Sequence, residues 1–197
     1  SCVPDFKLLT GYVQHDQYHR FTADTHLMQA VRELKRVHRK PALAGRLKSV
    51  VRGLSGEEWR ILAWACLYHD LAKGRAGDHS QLGVALAKRD LGGFELTPSL
   101  IAEGVWLVQE HLKMSEAAVR RNPLSPKTWR DLGEHGVRGR RIALLAVFTV
   151  VDIRATNPEA WTSWKDRLLG ELVEVLQAPE TGSYMTFLDR LRDRLDD

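Results

Sequence analysis

The chain has 197 residues, 44% hydrophobic and 27% charged, with a net charge of +4. That length and balance fit one globular domain over 1–197 with its own core, and they exclude a wholly disordered chain. Two cysteines, Cys2 and Cys66, exclude a disulfide framework or a cysteine-based zinc knuckle, and a reducing, cytoplasmic setting is the expectation.

Hydrophobic periodicity reads as helix nearly throughout. Asp24 or Thr25 caps a first helix to about residue 39, with Leu27, Ala30, Val31, Leu34 and Val37 on one face. Pro41 breaks it, and a short helix follows over 42–51. Ser55 with Glu58 three residues on is a capping-box pattern. It opens an apolar helix over 57–73 that reads as central. A glycine-bearing loop leads to a helix over 79–91, closed by Gly92 and Gly93. Thr97 and Pro98 start a helix to about 113. Residues 114–126 read as irregular or short-helical. An apolar helix covers 140–155, Asn157-Pro158 restarts a helix to about 177, and an amphipathic helix covers 183–195 and packs on the rest. β-Branched residues cluster only inside a helical frame, so the fold class is all-α, a compact helical bundle.

The longest apolar run, 142–151, is about half of what a bilayer needs, so no membrane association is expected. No charged segment followed by an apolar one opens the chain, so no signal peptide is read. Basic residues concentrate at 32–52 and 138–141. They read as solvated helix faces, or as attraction for an anionic, phosphate-bearing partner. They lack interleaved aromatics, so no nucleic acid is expected.

Six groups stand out: His26, His69, Asp70, His79, His111 and Asp152. They fall at or near helix ends, or in the His69-Asp70 pair, and a bundle builds a metal site from such converging side chains. Asp70 ends an apolar run that should be buried, and an ionised carboxylate there is costly unless paired or coordinated. Imidazole with carboxylate suits manganese, iron, cobalt or zinc, with magnesium also in the set. Cys66 reads as a packed, inert thiol, and Trp161 and Trp164 as core. His15, His38 and His135 read as surface residues, and His19 as surface or substrate-facing.

The stretch His69–Gly74 (HDLAKG) resembles the signature of the HD superfamily of metal-dependent phosphohydrolases, with an upstream His and a distant Asp. Further blocks are similar to the HD domain of the bifunctional uridylyltransferase/uridylyl-removing enzymes. They are Tyr18–His26 (YHRFTADTH), Gly77–Gly83 (GDHSQLG), His111–Glu116 (HLKMSE) with Ser125–Thr128 (SPKT), and Asp152–Pro158 (DIRATNP). The blocks run in family order over 14–165. The resemblance implies an all-helical fold and hydrolysis of the phosphodiester between UMP and a tyrosine of a PII-type nitrogen regulatory protein. It implies one or two divalent ions, held by His26, His69, Asp70 and Asp152. His79 and His111 match positions for a second ion.

Asp70 is then a bridging catalytic carboxylate. Lys73 either faces the substrate phosphate or is a solvated residue favoured by the helix dipole. Arg154 either clamps a phosphate or pairs with an acidic neighbour. Where the family pattern carries two histidines, this chain has Glu110-His111. Glu110 either serves as a ligand or leaves the second site weaker. No nucleotidyltransferase or ligand-sensing motifs accompany the HD blocks, so an excised domain or a stand-alone relative is expected. A stand-alone relative would take a small nucleotide, or bind metal or nucleotide without catalysis.

Overall fold

A computed structural model of the chain describes residues 22–72, 79–93 and 96–181. These residues form helices joined by short turns, with no strand among the described residues. The order is α1 (Ala23–Arg39), a 3₁₀ segment (Pro41–Leu47), α2 (Lys48–Gly53), α3 (Gly56–Tyr68), α4 (His79–Leu91), α5 (Pro98–Glu110), α6 (Lys113–Ser115), a π-helical turn (Glu116–Arg120), α7 (Pro126–Glu134), α8 (Arg140–Thr156), a 3₁₀ turn (Pro158–Ala160) and α9 (Ser163–Thr181). The all-α expectation stands. Among the described residues no helix is long and apolar enough to cross a membrane.

Helix α8 organises the bundle. Ile142 and the run from Leu144 to Val151 are all buried, so this helix is apolar on every side and belongs in the middle. The Thr149 hydroxyl donates to the Leu145 carbonyl at 2.8 Å, which satisfies the one polar group in that run. Helix α1 lays Leu27, Ala30, Leu34 and Val37 against this core, and α3 adds Ile61, Leu62, Ala65 and Cys66. Each fully buried leucine-sized side chain contributes about 1.5–3 kcal/mol.

Local chemistry sets the helix ends. The Ser55 hydroxyl accepts from the Glu58 amide at 3.2 Å, and Glu58 Oε2 accepts from the Ser55 amide at 2.7 Å. The capping box read from sequence is therefore formed. Thr97 caps α5 through its hydroxyl, with Pro98 at the first helical position. Helix α3 stops at Tyr68, five residues before the expected end. His69–Ala72 form a turn instead, with the Leu71 amide bonded back to the Tyr68 carbonyl at 3.2 Å. The Tyr68 hydroxyl donates to Asp90 Oδ2 at 3.0 Å and anchors that end to α4.

Other boundaries differ. Thr22, not Asp24 or Thr25, is the cap of α1. The helix expected over 42–51 is a 3₁₀ segment followed by α2, because Gly45 breaks the helical path with φ of 57°. Helix α7 lies where no element was expected, and α9 begins at Ser163 after a separate turn. Trp161 packs on the core as expected, but Trp164 is 49% exposed. The helix expected over 183–195 lies outside the described residues.

Gly45 also docks α9. Its backbone lets the Arg46 amide donate to Asp166 Oδ1 at 2.9 Å, and a Cβ on Gly45 would fall on the Asp166 carboxylate. Gly45→Ala is expected to lower stability by about 2 kcal/mol or more, from left-handed strain and the clash together. Gly53→Ala, where a Cβ meets nothing within 4 Å, should stay within about 0.5 kcal/mol of the parent. Urea denaturation of both variants checks this.

Candidate metal centre

Three helices and one turn bring the site together. His26 comes from the first turn of α1, where it takes a buried position of the apolar stripe. His69 and Asp70 come from the turn that ends α3. Asp152 lies in the last turns of α8. His111 caps the C-terminus of α5. Long-range folding is required: His26 and Asp152 are 126 positions apart and touch.

The donor atoms are close. His26 Nε2 lies 3.1 Å from His69 Nε2 and 3.0 Å from Asp152 Oδ1. His69 Nε2 lies 3.3 Å from Asp152 Oδ1 and 3.4 Å from Asp70 Oδ2. Asp70 Oδ2 is 3.8 Å from His26 Nε2. His26, His69 and Asp152 form a group whose ligand atoms all lie within 4.8 Å of one another. His111 stands beside it, with Nε2 3.9 Å from Asp70 Oδ1. Asp152 is 22% exposed, whereas His26, His69 and Asp70 are buried, so the centre opens to solvent on the Asp152 side.

Backbone carbonyls orient two of the rings. A carbonyl only accepts, so the proton of His69 Nδ1 points to Cys66 O at 3.2 Å and that of His111 Nδ1 to Val108 O at 2.8 Å. Both Nε2 atoms therefore face inward. Phe148, one turn before Asp152 on α8, meets the His69 and His111 rings edge-on at 5.3 Å and 6.1 Å between centroids. It is a wall that keeps both rings from tipping, and sequence reading missed it. Its only signal was its spacing of four from Asp152 inside the apolar run.

The electrostatics favour a cation. Burial pulls the His69 pKa down, yet the charges of Asp70 and Asp152 push it up to about 10. Burial opposes the Asp152 charge, but hydrogen bonds from His26 and His69 hold its carboxyl well below the usual range. Burial first, and then the charge on His69, lower the His111 pKa. Positive charge is thus wanted at His69 Nε2. Donor separations of 3.0–3.4 Å are those spanned by ligands at about 2.0–2.2 Å from a first-row divalent ion. The residues present fit such an ion.

Other expected site residues lie elsewhere. Arg154 Nε donates to Glu33 Oε2 at 2.9 Å, the pairing with an acidic neighbour that was one of its two readings. Glu33 was not singled out from sequence, because a Glu on a basic helix reads as solvated. Glu110 is buried, accepting from Gln109 Nε2 at 3.0 Å and lying 3.0 Å from His135 Nδ1. Its contacts lead to the α7 end and not to the His26 group. His135 is exposed, as a surface residue should be, and its carbonyl accepts from Trp106 Nε1. Lys73, the His79 side chain and His19 lie outside the described residues, although His79 opens α4.

Two measurements follow. Adding Mn²⁺ at about a hundredfold over its Kd should raise the melting temperature by about 5–10 °C relative to chelated protein. His69→Ala and Asp152→Ala should abolish that difference. Burial pushes the Cys66 thiol up, with the Asp152 charge adding to it. Peptide mapping after alkylation at pH 8 should therefore find Cys66 unmodified until denaturant is added.

Comparison with known proteins agrees with this geometry. The HD domain family model matches residues 24–151, a span that includes His26, His69, Asp70 and His111. The chain is 39% identical over 179 residues to the bifunctional uridylyltransferase/uridylyl-removing enzyme of Chromobacterium violaceum, covering 86% of this chain and 20% of that protein. It is 36% identical to the same-named enzyme of Bordetella pertussis and 34% identical to that of Burkholderia mallei. Those alignments cover 99% and 98% of this chain and 22% of each relative. The chain thus spans about a fifth of the length of the curated relatives it matches. No solved structure matches it. With most of its length matched by the family model and with relatives above 30% identity along it, the chain belongs to the HD domain family.

Proposed function

We propose that this chain is a phosphodiester hydrolase that removes UMP from a uridylylated tyrosine of a PII-type protein. The observation that carries the hydrolase reading is the buried His26–His69–Asp152 group with Asp70 against it, a donor set with a field that favours a cation. The substrate reading is supported by the relatives, each named as uridylyl-removing.

In this reading His26, His69, Asp70 and Asp152 hold one divalent ion, with manganese, iron, cobalt, zinc and magnesium as the candidates. When bound, the ion supplies Lewis acidity toward a phosphoryl oxygen and lowers the pKa of a coordinated water. The protein supplies the rest. The Cys66 and Val108 carbonyls keep both Nε2 atoms inward, and Phe148 keeps the rings in place. Asp70 presents Oδ2 to His26 and His69 and Oδ1 to His111, so one carboxylate spans both halves of the centre. His111 Nε2, turned inward by the Val108 carbonyl, serves as a further ligand or takes up a proton at that atom. Lys73 and His79 are assigned by the family motif to the substrate phosphate and to a second ion. A tyrosine phenolate, with a pKa of about 10, leaves readily without a strong general acid.

The exposed face of α1 supports an anionic substrate. Arg32, Lys35, Arg36 and Arg39 lie within one stripe of that helix and are exposed. A small free nucleotide would use the same centre, and the assay below separates the two.

The test is UMP release from uridylylated PII protein, with Mn²⁺ or with chelator, for the parent and Asp70→Ala. Expected are metal-dependent release and a loss of at least about 100-fold in the variant. A folded, metal-loaded protein that releases no UMP from PII but hydrolyses a free nucleotide would move the substrate to the small-molecule class.

A further inference from the structure

Two charged side chains sit inside the α1–α8 interface with no part in the chemistry described above. Glu33 is 5% exposed and Arg154 9%. The Arg154 Nε–H donates to Glu33 Oε2 at 2.9 Å, and Glu33 Oε1 accepts from Arg36 Nη1 at 2.5 Å. Both carboxylate oxygens are therefore engaged, one from inside the bundle and one from its surface, where Arg36 lies. Taking such a pair out of water costs the hydration of both charges, and packed apolar side chains of similar size serve stability as well or better. Leu27, Ala30, Leu34 and Val37 already supply apolar packing on this face of α1. What the pair adds is direction, because a guanidinium fork and a carboxylate fit together in few orientations.

Its place on the two helices is informative. Glu33 follows His26 by seven residues, two turns along the same face of α1, about 10.5 Å away along the axis. Arg154 follows Asp152 by two residues in the last turn of α8. The two helices are thus tied by polar contacts at two points: His26 Nε2 to Asp152 Oδ1 at 3.0 Å, and Glu33 to Arg154 at 2.9 Å. Apolar packing holds the two helices together but tolerates small shifts in their angle and slide. Two directed polar contacts, added to that packing, narrow both.

We propose that Glu33 and Arg154 are positioning residues that set the separation of His26 and Asp152, and through it the affinity and geometry of the metal centre. This rests on the reading of that cluster as a metal centre. The pair touches no substrate and acts only through the helices it joins.

The experiment uses the full chain and Co²⁺ as the probe, with affinity from calorimetry and ligand geometry from the visible absorption spectrum. Circular dichroism and thermal melting report the fold. The variants are Glu33→Gln, Arg154→Lys and the apolar pair Glu33→Leu/Arg154→Met, which refills the volume without the charges. Expected is Co²⁺ binding about 10–100-fold weaker, with a changed spectrum, in variants that keep the parent circular dichroism. The apolar pair should show the weakened binding even where its melting temperature equals or exceeds that of the parent. A folded apolar-pair variant with the parent's affinity and spectrum would overturn the proposal and leave the pair as a staple. Where a single substitution unfolds the chain, the apolar pair decides. Failure of the parent itself to bind Co²⁺ would overturn the metal-centre reading and this proposal with it.

Discussion

Two imidazoles and two carboxylates share a few ångströms of space at the junction of α1, the α3 turn and α8. Most of that space is closed to water, so interactions between charges are strong in both signs. The imidazoles face the carboxylates, and the carboxylates call for positive charge, on His69 or on a cation among the donors. The fold has to hold these groups in place against the cost of burying their charges.

Helix α8 meets the requirement by being apolar on every side. Its buried run packs against α1, α3 and α9, which leaves it no freedom to rotate Asp152 out of the cluster. Close packing also means that a small shift in one side chain is felt by its neighbours. Phe148 uses the same helix to support the two imidazoles from behind, so one element supplies a ligand candidate and the wall that steadies two others. The early end of α3 belongs to the same logic. Had the helix continued past Tyr68, the 100° step per residue would have carried His69 and Asp70 to different faces. His69 keeps its helical bond to the Ala65 carbonyl at 2.9 Å, and the turn that follows brings Asp70 beside it.

The other side of the centre is drawn in a different direction. His111 is oriented by the Val108 carbonyl toward Asp70, whereas its neighbour Glu110 is engaged by Gln109 and His135. Adjacent residues at a helix end point about 100° apart, so the two serve different neighbourhoods. The His26 group is therefore compact, and the His111 side is looser, joined to it through Asp70 and through the edge of the His69 ring.

Much of this was legible in the sequence, for identifiable reasons. Helical periodicity in α1, α3, α5 and α8, the Ser55–Glu58 capping box and the Thr97-Pro98 start are local signals, and local hydrogen bonds satisfy them. His26, His69, Asp70, His111 and Asp152 could be named as candidates because charged or imidazole groups beside apolar runs need partners. Local signals do not carry distance. That His26 touches Asp152, that Glu33 on a basic helix is buried by Arg154, and that Phe148 backs two histidines all depend on how α1 and α8 cross. The sequence determined which segments are helical and which side chains demand compensation, since propensity, capping and burial cost act within a turn or two. Only the tertiary structure decided which of those side chains compensate one another, because that depends on packing between helices more than a hundred residues apart.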